Sequence, residues 1–389
     1  MILERELFKE INSYIEASEA IIVTGMRRTG KTTLLQYIYD GINSSNKILL
    51  DLENPINRRY FEEFDYERIK TSLEVLGLDF RKKPYIFLDE IQMAKNIPSV
   101  VKYFIDHHEV KFFLTGSASY YLKNLFSESL VGRKYIFELF PLTFREFIIF
   151  KGSKVQLPKS NVDIPQPIFE NISRFYDEYI SFGGFPEVVL KESFNDKKRA
   201  LEDIFTSYYQ MEVMQLRDYR KNVAIRDLMV LLMQRVGSKL DISKLSRELG
   251  ISRQSVNEYV TFLEGTYFIK TIRPLSTSKD TEIRKTPKVY LCDSGLANNF
   301  ANLSQGNIFE NNVFQNLNAK GELNYYQRKR GVEIDFILNK QIAYEVKITP
   351  DRSDLMKLER ISKELGLKEY KLISKNYSAI DNVIFGFLI

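Results

Sequence analysis

The spacing of apolar positions changes along the chain. Residues 4–17 place Leu7, Ile11 and Ile15 at helical intervals. Ala20-Ile21-Ile22-Val23 is then a short unbroken apolar run ending in Thr24-Gly25, the pattern of a buried strand. Leu34, Leu35 and Ile38 restore the helical period. Lys47–Leu52, Pro84–Leu88 and Val110–Leu114 read as further strands, with helical stretches at 72–76 and 100–104 between them. Strands alternating with helices predict a parallel sheet covered on both faces.

Beyond Arg133 the pattern becomes mainly helical over 141–220. It is interrupted at 152–167, which holds Pro158, Pro165 and Pro167, and again at Gly183-Gly184-Phe185-Pro186. Residues 222–292 read as helices followed by a β-hairpin. Residues 306–389 read as a helix, three strands, a helix and two closing strands. The expected class is α/β, in four parts: 1–140, 141–220, 221–305 and 306–389.

Composition narrows the chemistry. Hydrophobic residues are 44% of the 389 and charged residues 28%, which supplies buried cores and excludes a disordered chain. The one cysteine, Cys292, excludes an intramolecular disulfide. The two histidines, His107 and His108, are too few for a Cys/His zinc site or for catalysis built on a partnered histidine. The first residues are charged and no apolar run is long enough to span a bilayer, so a cytoplasmic protein with no membrane partner is expected.

Gly25-Met26-Arg27-Arg28-Thr29-Gly30-Lys31-Thr32 fits the G-x-x-x-x-G-K-[ST] phosphate loop at every position and lies between a strand and a helix. Its glycines let backbone N–H groups wrap phosphates, Lys31 is suited to the β- and γ-phosphates, and the Thr32 hydroxyl to Mg²⁺. The candidate nucleotide-binding residues are Gly25, Arg28, Thr29, Gly30, Lys31, Thr32 and Thr33. Tyr85–Leu88 is an apolar strand delivering Asp89 to the metal shell and Glu90 to an attacking water. Thr115 or Ser117, at the end of the next apolar strand, is placed for the γ-phosphate or that water. Arg133 is a candidate cation for the γ-phosphate, in cis or from a neighbouring copy.

These residues resemble the AAA+ ATPases, and more closely a widespread prokaryotic branch of them. The resemblance rests on Gly25–Thr32 with its Arg-Arg insert, Leu88-Asp89-Glu90-Ile91-Gln92, Leu114-Thr115-Gly116-Ser117, and Gly132-Arg133 running on to Phe140-Pro141-Leu142. It continues to Gly183-Gly184-Phe185-Pro186 and so covers about the first half of the chain. It implies a P-loop ATPase core over 1–140, a helical subdomain over 141–220, and ATP and Mg²⁺ as cofactors; a homo-oligomer, which Arg133 acting in trans would require, or a protein partner is a further expectation. A second sensor arginine is not matched in the helical subdomain.

Asp241–Ile251 reads as a helix closed by Gly250, and Ser252 caps a second helix that offers Arg253, Gln254, Ser255 and Asn257. Two helices joined by a short Gly-containing turn are the helix-turn-helix pattern. Phe268–Pro274 with Lys288–Leu291 would add a wing, making 221–305 a winged helix. Residues 235–290 hold eleven basic and six acidic side chains, a local excess equal to the +5 of the whole chain. Such a surface suits DNA, and equally a protein-binding or hinge module.

In the last segment, Gly331–Leu338 alternates as a strand and Gln341–Lys347 forms the next. A hairpin would set Asp335 beside Glu345. Glu345 and Lys347 share one face, and Glu310 lies on the preceding helix. Carboxylates converging in this way repel unless a cation joins them, and Mg²⁺ or Mn²⁺ would serve. Asp335, Glu345 and Lys347, with Glu310, resemble the PD-(D/E)xK restriction-endonuclease-like fold, with Ile334 where the motif has proline. The resemblance implies that 306–389 is such a domain, with Asp335, Glu345 and Lys347 catalytic and Glu310, Asp335 and Glu345 binding metal. Gln327-Arg328-Lys329-Arg330 is a candidate phosphate-backbone contact. Such nuclease-like domains accompany the ATPase in this prokaryotic branch. The expected function is ATP binding and hydrolysis coupled to action on DNA, with metal-dependent cleavage as an additional activity. The alternative is a nucleotide-dependent switch that binds a protein or DNA without cutting.

Overall fold

The computed structural model describes residues 3–117, 130, 132–158, 164–214, 219–276, 282, 285–328 and 331–389. It divides into two compact units: Met1–Phe140 with Gly265–Tyr267, and Pro141–Glu264 with Phe268–Ile389.

The first unit is built on a five-stranded sheet, β1 (Ala20–Thr24), β2 (Lys47–Asp51), β3 (Tyr85–Asp89), β4 (Lys111–Gly116) and β5 (Lys134–Glu138), in the order β2-β3-β4-β1-β5. All four pairings are parallel, as strand–helix alternation predicts. Parallel strands run in one direction, so the residues after β1, β3 and β4 emerge at one edge of the sheet. Strands with both faces covered become apolar throughout. β1 and β4 are buried along their whole lengths, and Phe87 stacks on Phe113 with centroids 4.5 Å apart. Lys111 is the exception in β4. Its ammonium donates to the carbonyls of Tyr14, Ala17 and Glu19 at 2.9, 2.8 and 2.7 Å, closing the turns that follow helix α1 (Glu6–Asn12). Burial depresses its pKa to about 8.

The second unit holds a seven-stranded mixed sheet: β6 (Ile269–Pro274), β7 (Lys288–Leu291), β8 (Leu323–Gln327), β9 (Glu333–Leu338), β10 (Ile342–Lys347), β11 (Glu369–Ser374) and β12 (Val383–Phe385). The order is β12-β11-β10-β9-β8-β6-β7. The antiparallel hairpin β6–β7 is the one read as a wing. It is not a separate ribbon, because β6 also pairs in parallel with β8 through Arg273↔Asn324 and Pro274↔Tyr325. One sheet therefore crosses the expected 305/306 division.

The double glycine has a packing role. Helix α2 (Gln166–Phe182) ends at Gly183, where φ is +76°, and α3 (Ser294–Phe300) starts beside it. A Cβ on Gly183 would overlap the Asp293 carboxylate, one on Gly184 the Leu142 carbonyl, and one on Gly295 the Phe182 carbonyl. Asp293 caps α3 by accepting from Gly295 N–H at 2.9 Å and Leu296 N–H at 3.2 Å, and its other oxygen accepts from Gly184 N–H at 2.7 Å. Burial raises its pKa to about 6, and those N–H donors pull against the rise.

Candidate functional sites

The phosphate loop leaves β1 at its C-terminal end and opens helix α4 (Lys31–Gly41). Gly30 has φ +97°, and a Cβ on Gly25 would strike the carbonyl of Leu139, just beyond β5, so both glycines are required by geometry. Arg28 is exposed at the tip with φ +67°. Thr29 is buried and its hydroxyl donates to the Met26 carbonyl at 2.9 Å. The Lys31 ammonium donates to the carbonyls of Gly25 and Met26, both at 3.0 Å, which holds it at the mouth of the loop. Buried Arg5 fastens the loop from behind, donating to the Thr29 and Phe140 carbonyls at 2.8 Å each.

Parallel register brings the acidic pair to the same edge. The Thr32 hydroxyl donates to Asp89 Oδ2 at 2.7 Å, and the Thr115 hydroxyl donates to Asp89 Oδ1. Glu90 takes a left-handed backbone, φ +53° and ψ +50°, and its N–H donates to the Thr115 hydroxyl at 3.3 Å. Gln92 Nε2 donates to the Glu90 carboxylate and also to Ser117 Oγ at 3.0 Å. Burial raises the Glu90 pKa, opposed by the charge of Lys31 and the Gln92 hydrogen bond. This donor set fits a magnesium-bound nucleotide: an ammonium and backbone N–H groups for phosphate, a Thr–Asp pair for the ion, and a carboxylate beside them for water. Thr33 is exposed on α4 one residue beyond the pair.

Arg133 corrects one expectation. Its carbonyl accepts from Ala20 N–H, so it lies at the start of β1, while the phosphate loop lies at the other end of that strand. Five residues of strand separate them, about 16 Å at 3.3 Å per residue. Its guanidinium bonds Asp106 at 2.6 Å. An in-cis contact with a γ-phosphate is excluded by this placement.

The C-terminal carboxylates come together, but with a companion that sequence reading missed. β9 and β10 pair through Tyr344↔Phe336, and continuing that register sets Glu345 opposite Asp335. Asp335 Oδ2 accepts from Val346 N–H at 2.8 Å. Lys347 donates to Glu345 Oε1 at 2.7 Å, while Glu345 Oε2 is buried with no hydrogen-bond partner among the described residues. Glu310, on helix α5 (Gln305–Asn318), accepts from the Tyr290 hydroxyl at 2.7 Å. Lys288 of β7 reaches into this group. Its ammonium lies 3.5 Å from Glu310 and 3.9 Å from Asp335, and is bonded to Glu333. Burial raises the pKa values of Glu310, Asp335 and Glu345, with mutual repulsion adding to it, while Lys288 opposes the rise at Glu310 and Asp335 and Lys347 at Glu345. Burial works against the charge on Lys288, and the three carboxylates outweigh it and raise its pKa.

Tested against a divalent ion, this arrangement does not fit. Among the described residues no three His, Cys, Asp or Glu side chains converge as metal ligands, and an ammonium already lies amid these carboxylates. The expected Mg²⁺ or Mn²⁺ set of Glu310, Asp335 and Glu345 is therefore not reproduced. Arg328 is bound to Glu364 and to the Tyr326 hydroxyl, and Lys329 and Arg330 lie outside the described residues.

The helix-turn-helix elements are α6 (Ile242–Leu249) and α7 (Arg253–Gly265), joined through Gly250 at φ +65°. Ser252 Oγ accepts from Ser255 N–H at 3.0 Å. Arg253, Gln254 and Asn257 are exposed, while Val256, Tyr259 and Val260 face inward.

Residues 17–148 match a family model described as an AAA domain. The N-terminal unit is therefore similar to AAA domains over that segment, which holds the phosphate loop. Residues 173–307 and 305–382 match two families described as domains of unknown function, DUF8612 and DUF4143. Among relatives, the Uncharacterized protein MJ1544 of Methanocaldococcus jannaschii is 27% identical, with 93% of this chain and 83% of that protein covered. An Uncharacterized protein of Haemophilus influenzae is 24% identical, with 89% of this chain and 88% of its own length covered. Among solved structures, C. elegans PCH-2 aligns at TM-score 0.36 and 14% identity, covering 53% of this chain and 69% of that one. A Thermotoga maritima DNA polymerase III gamma subunit-related protein aligns at TM-score 0.28 and 12% identity, covering 66% of this chain and 99% of that one. No helix among the described residues is long and apolar enough to cross a membrane.

Within the N-terminal unit, sequence reading missed Arg5 and the bridging role of Gln92. Gln92 was visible as a polar residue two places beyond Glu90. Arg5 gave no local signal, since its partners are backbone carbonyls 24 and 135 residues away.

Proposed function

We propose that this protein is an ATP-hydrolysing switch whose nucleotide state sets its grip on DNA. The observation that carries the reading is the linked set Lys31, Thr32, Asp89, Thr115 and Glu90 at one sheet edge. Thr32 and Asp89 would hold Mg²⁺, which would supply positive charge to offset that of the phosphates. Lys31 holds the phosphates, and Glu90 orients the water and draws on its proton. Gln92 ties Glu90 to Ser117, so a shift at the end of β4 is felt at the carboxylate. Arg133 would act on a phosphate from a neighbouring copy.

For DNA, the reading rests on the exposed Arg253, Gln254 and Asn257 of α7 and on the positive excess of 235–290 that remains when the buried Lys288 is set aside. Helix α7 runs directly into Gly265–Tyr267, which counts with the N-terminal unit, where the Tyr267 hydroxyl donates to Glu138 of β5 at 2.9 Å. That continuity gives nucleotide-driven movement a covalent route to the helix-turn-helix. The binding reading is favoured over cleavage because Lys288 occupies the carboxylate cluster.

The test is ATP turnover by wild type and Arg253→Glu with increasing duplex DNA at several salt concentrations. Stimulation that falls steeply with salt, and a binding-versus-salt slope reduced by about 1 in the variant, is expected. Turnover indifferent to DNA at every salt concentration overturns the DNA half of the proposal.

A further inference from the structure

We infer that Lys288 is the resident cation of the C-terminal carboxylate cluster, held against Glu310 and Asp335, two of the three expected ion ligands, and keeping divalent ions out. The inference concerns the second unit alone and does not depend on the ATPase reading.

The geometry is that of a built-in counter-ion. Lys288 is 5% exposed, and its ammonium is within ion-pair reach of Glu310, Glu333 and Asp335, which come from a helix and a strand distant in sequence. Its ammonium also lies 5.6 Å from the Tyr325 ring centroid, a face that attracts cations. A buried ammonium is costly unless polar partners or opposite charge surround it, and here three carboxylates do so. The same oxygens cannot serve both partners. Mg²⁺ takes oxygens at about 2.0–2.1 Å in an octahedron, and an ammonium among those oxygens blocks the approach and repels the ion.

The position of Lys288 is fixed by backbone. It pairs with Ile272 on one side and bridges Lys239 on the other. Gly237 N–H donates to the Val289 carbonyl at 2.9 Å, and Leu240 N–H to the Pro287 carbonyl at 2.8 Å. A Cβ on Gly237 would lie 3.2 Å from the Glu310 carboxylate oxygens. The segment 237–240 leads straight into helix α6, so the lysine that neutralises the cluster also sits on the strand that anchors the helix-turn-helix.

The experiment measures Mn²⁺ uptake by the full chain without nucleotide, from the spin-resonance signal of free Mn²⁺. It compares wild type, Asp335→Asn, Lys288→Met, Lys288→Arg and the double variant Lys288→Met with Asp335→Asn. Wild type and Asp335→Asn are expected to take up Mn²⁺ alike. Lys288→Met is expected to gain a site about tenfold or more tighter than any in wild type, lost in the double variant and absent in Lys288→Arg. Two results overturn the inference. One is wild-type uptake that Asp335→Asn abolishes. The other is a folded Lys288→Met that binds no more Mn²⁺ than wild type. If Lys288→Met does not fold, the comparison of wild type with Asp335→Asn decides.

Discussion

Glu90 shows how much one side chain's setting matters. Its backbone is left-handed, a conformation costly for any residue but glycine, and its carboxylate is held by Gln92. Burial raises its pKa, so the base is a stronger proton acceptor than an exposed glutamate would be. Glu90→Gln keeps the size and the hydrogen bonding but cannot take a proton. ATP turnover should fall by about 10²–10⁴-fold while nucleotide binding persists, measured by phosphate release beside equilibrium binding of a fluorescent ATP analogue. Turnover within a few-fold of wild type would show that another group activates the water. At this scale the nucleotide site was legible, because Gly25–Thr32 and Asp89-Glu90 are contiguous in sequence and each role follows from local position. Lys288 and Glu333 were not, because their meaning comes from three strands meeting under one helix. Arg133 misled for the converse reason. It stands close in sequence to residues of the site's sheet, but at the start of β5 rather than its end.

Among elements, the joint between α2 and α3 is the most tightly specified. Three glycines allow backbone to approach backbone, and the buried Asp293 carboxylate satisfies three N–H groups there. The folded-state pKa is about 6, above the ordinary 3.8. A carboxyl raised on folding binds its proton more tightly in the native state. Its contribution to stability is thus fully present below the unfolded value and is lost as pH rises through about 6. Urea unfolding across that range should show wild-type stability falling relative to Asp293→Asn by about 1–3 kcal/mol between the two limits. Parallel curves for the two proteins would contradict a raised pKa. The breaking power of Gly183-Gly184-Phe185-Pro186 was evident from sequence, but its buried acid partner, more than a hundred residues away, was not. The strand pattern of both sheets was legible from apolar periodicity except for β5, whose Lys134–Glu138 carries charge at both ends and falls where the pattern turns helical. The β6–β8 pairing was not, since it consists of two residue pairs and leaves no trace in the pattern of either strand.

The whole molecule has an N-terminal unit similar to AAA domains and a second unit whose hairpin and C-terminal strands form one hydrogen-bonded sheet. ATP hydrolysis serves a switch only if the two nucleotide states differ in their affinity for the target, and the difference in binding free energy limits the effect. The central claim is therefore tested by the affinity of the Glu90→Gln variant for a fluorescent DNA duplex, measured by anisotropy at fixed salt with MgATP and then with MgADP. The account predicts a difference of about 5–150-fold between the two states, abolished when Lys31→Ala removes nucleotide binding. Equal affinity in MgATP and MgADP, with the nucleotide shown to be bound in both, would contradict it.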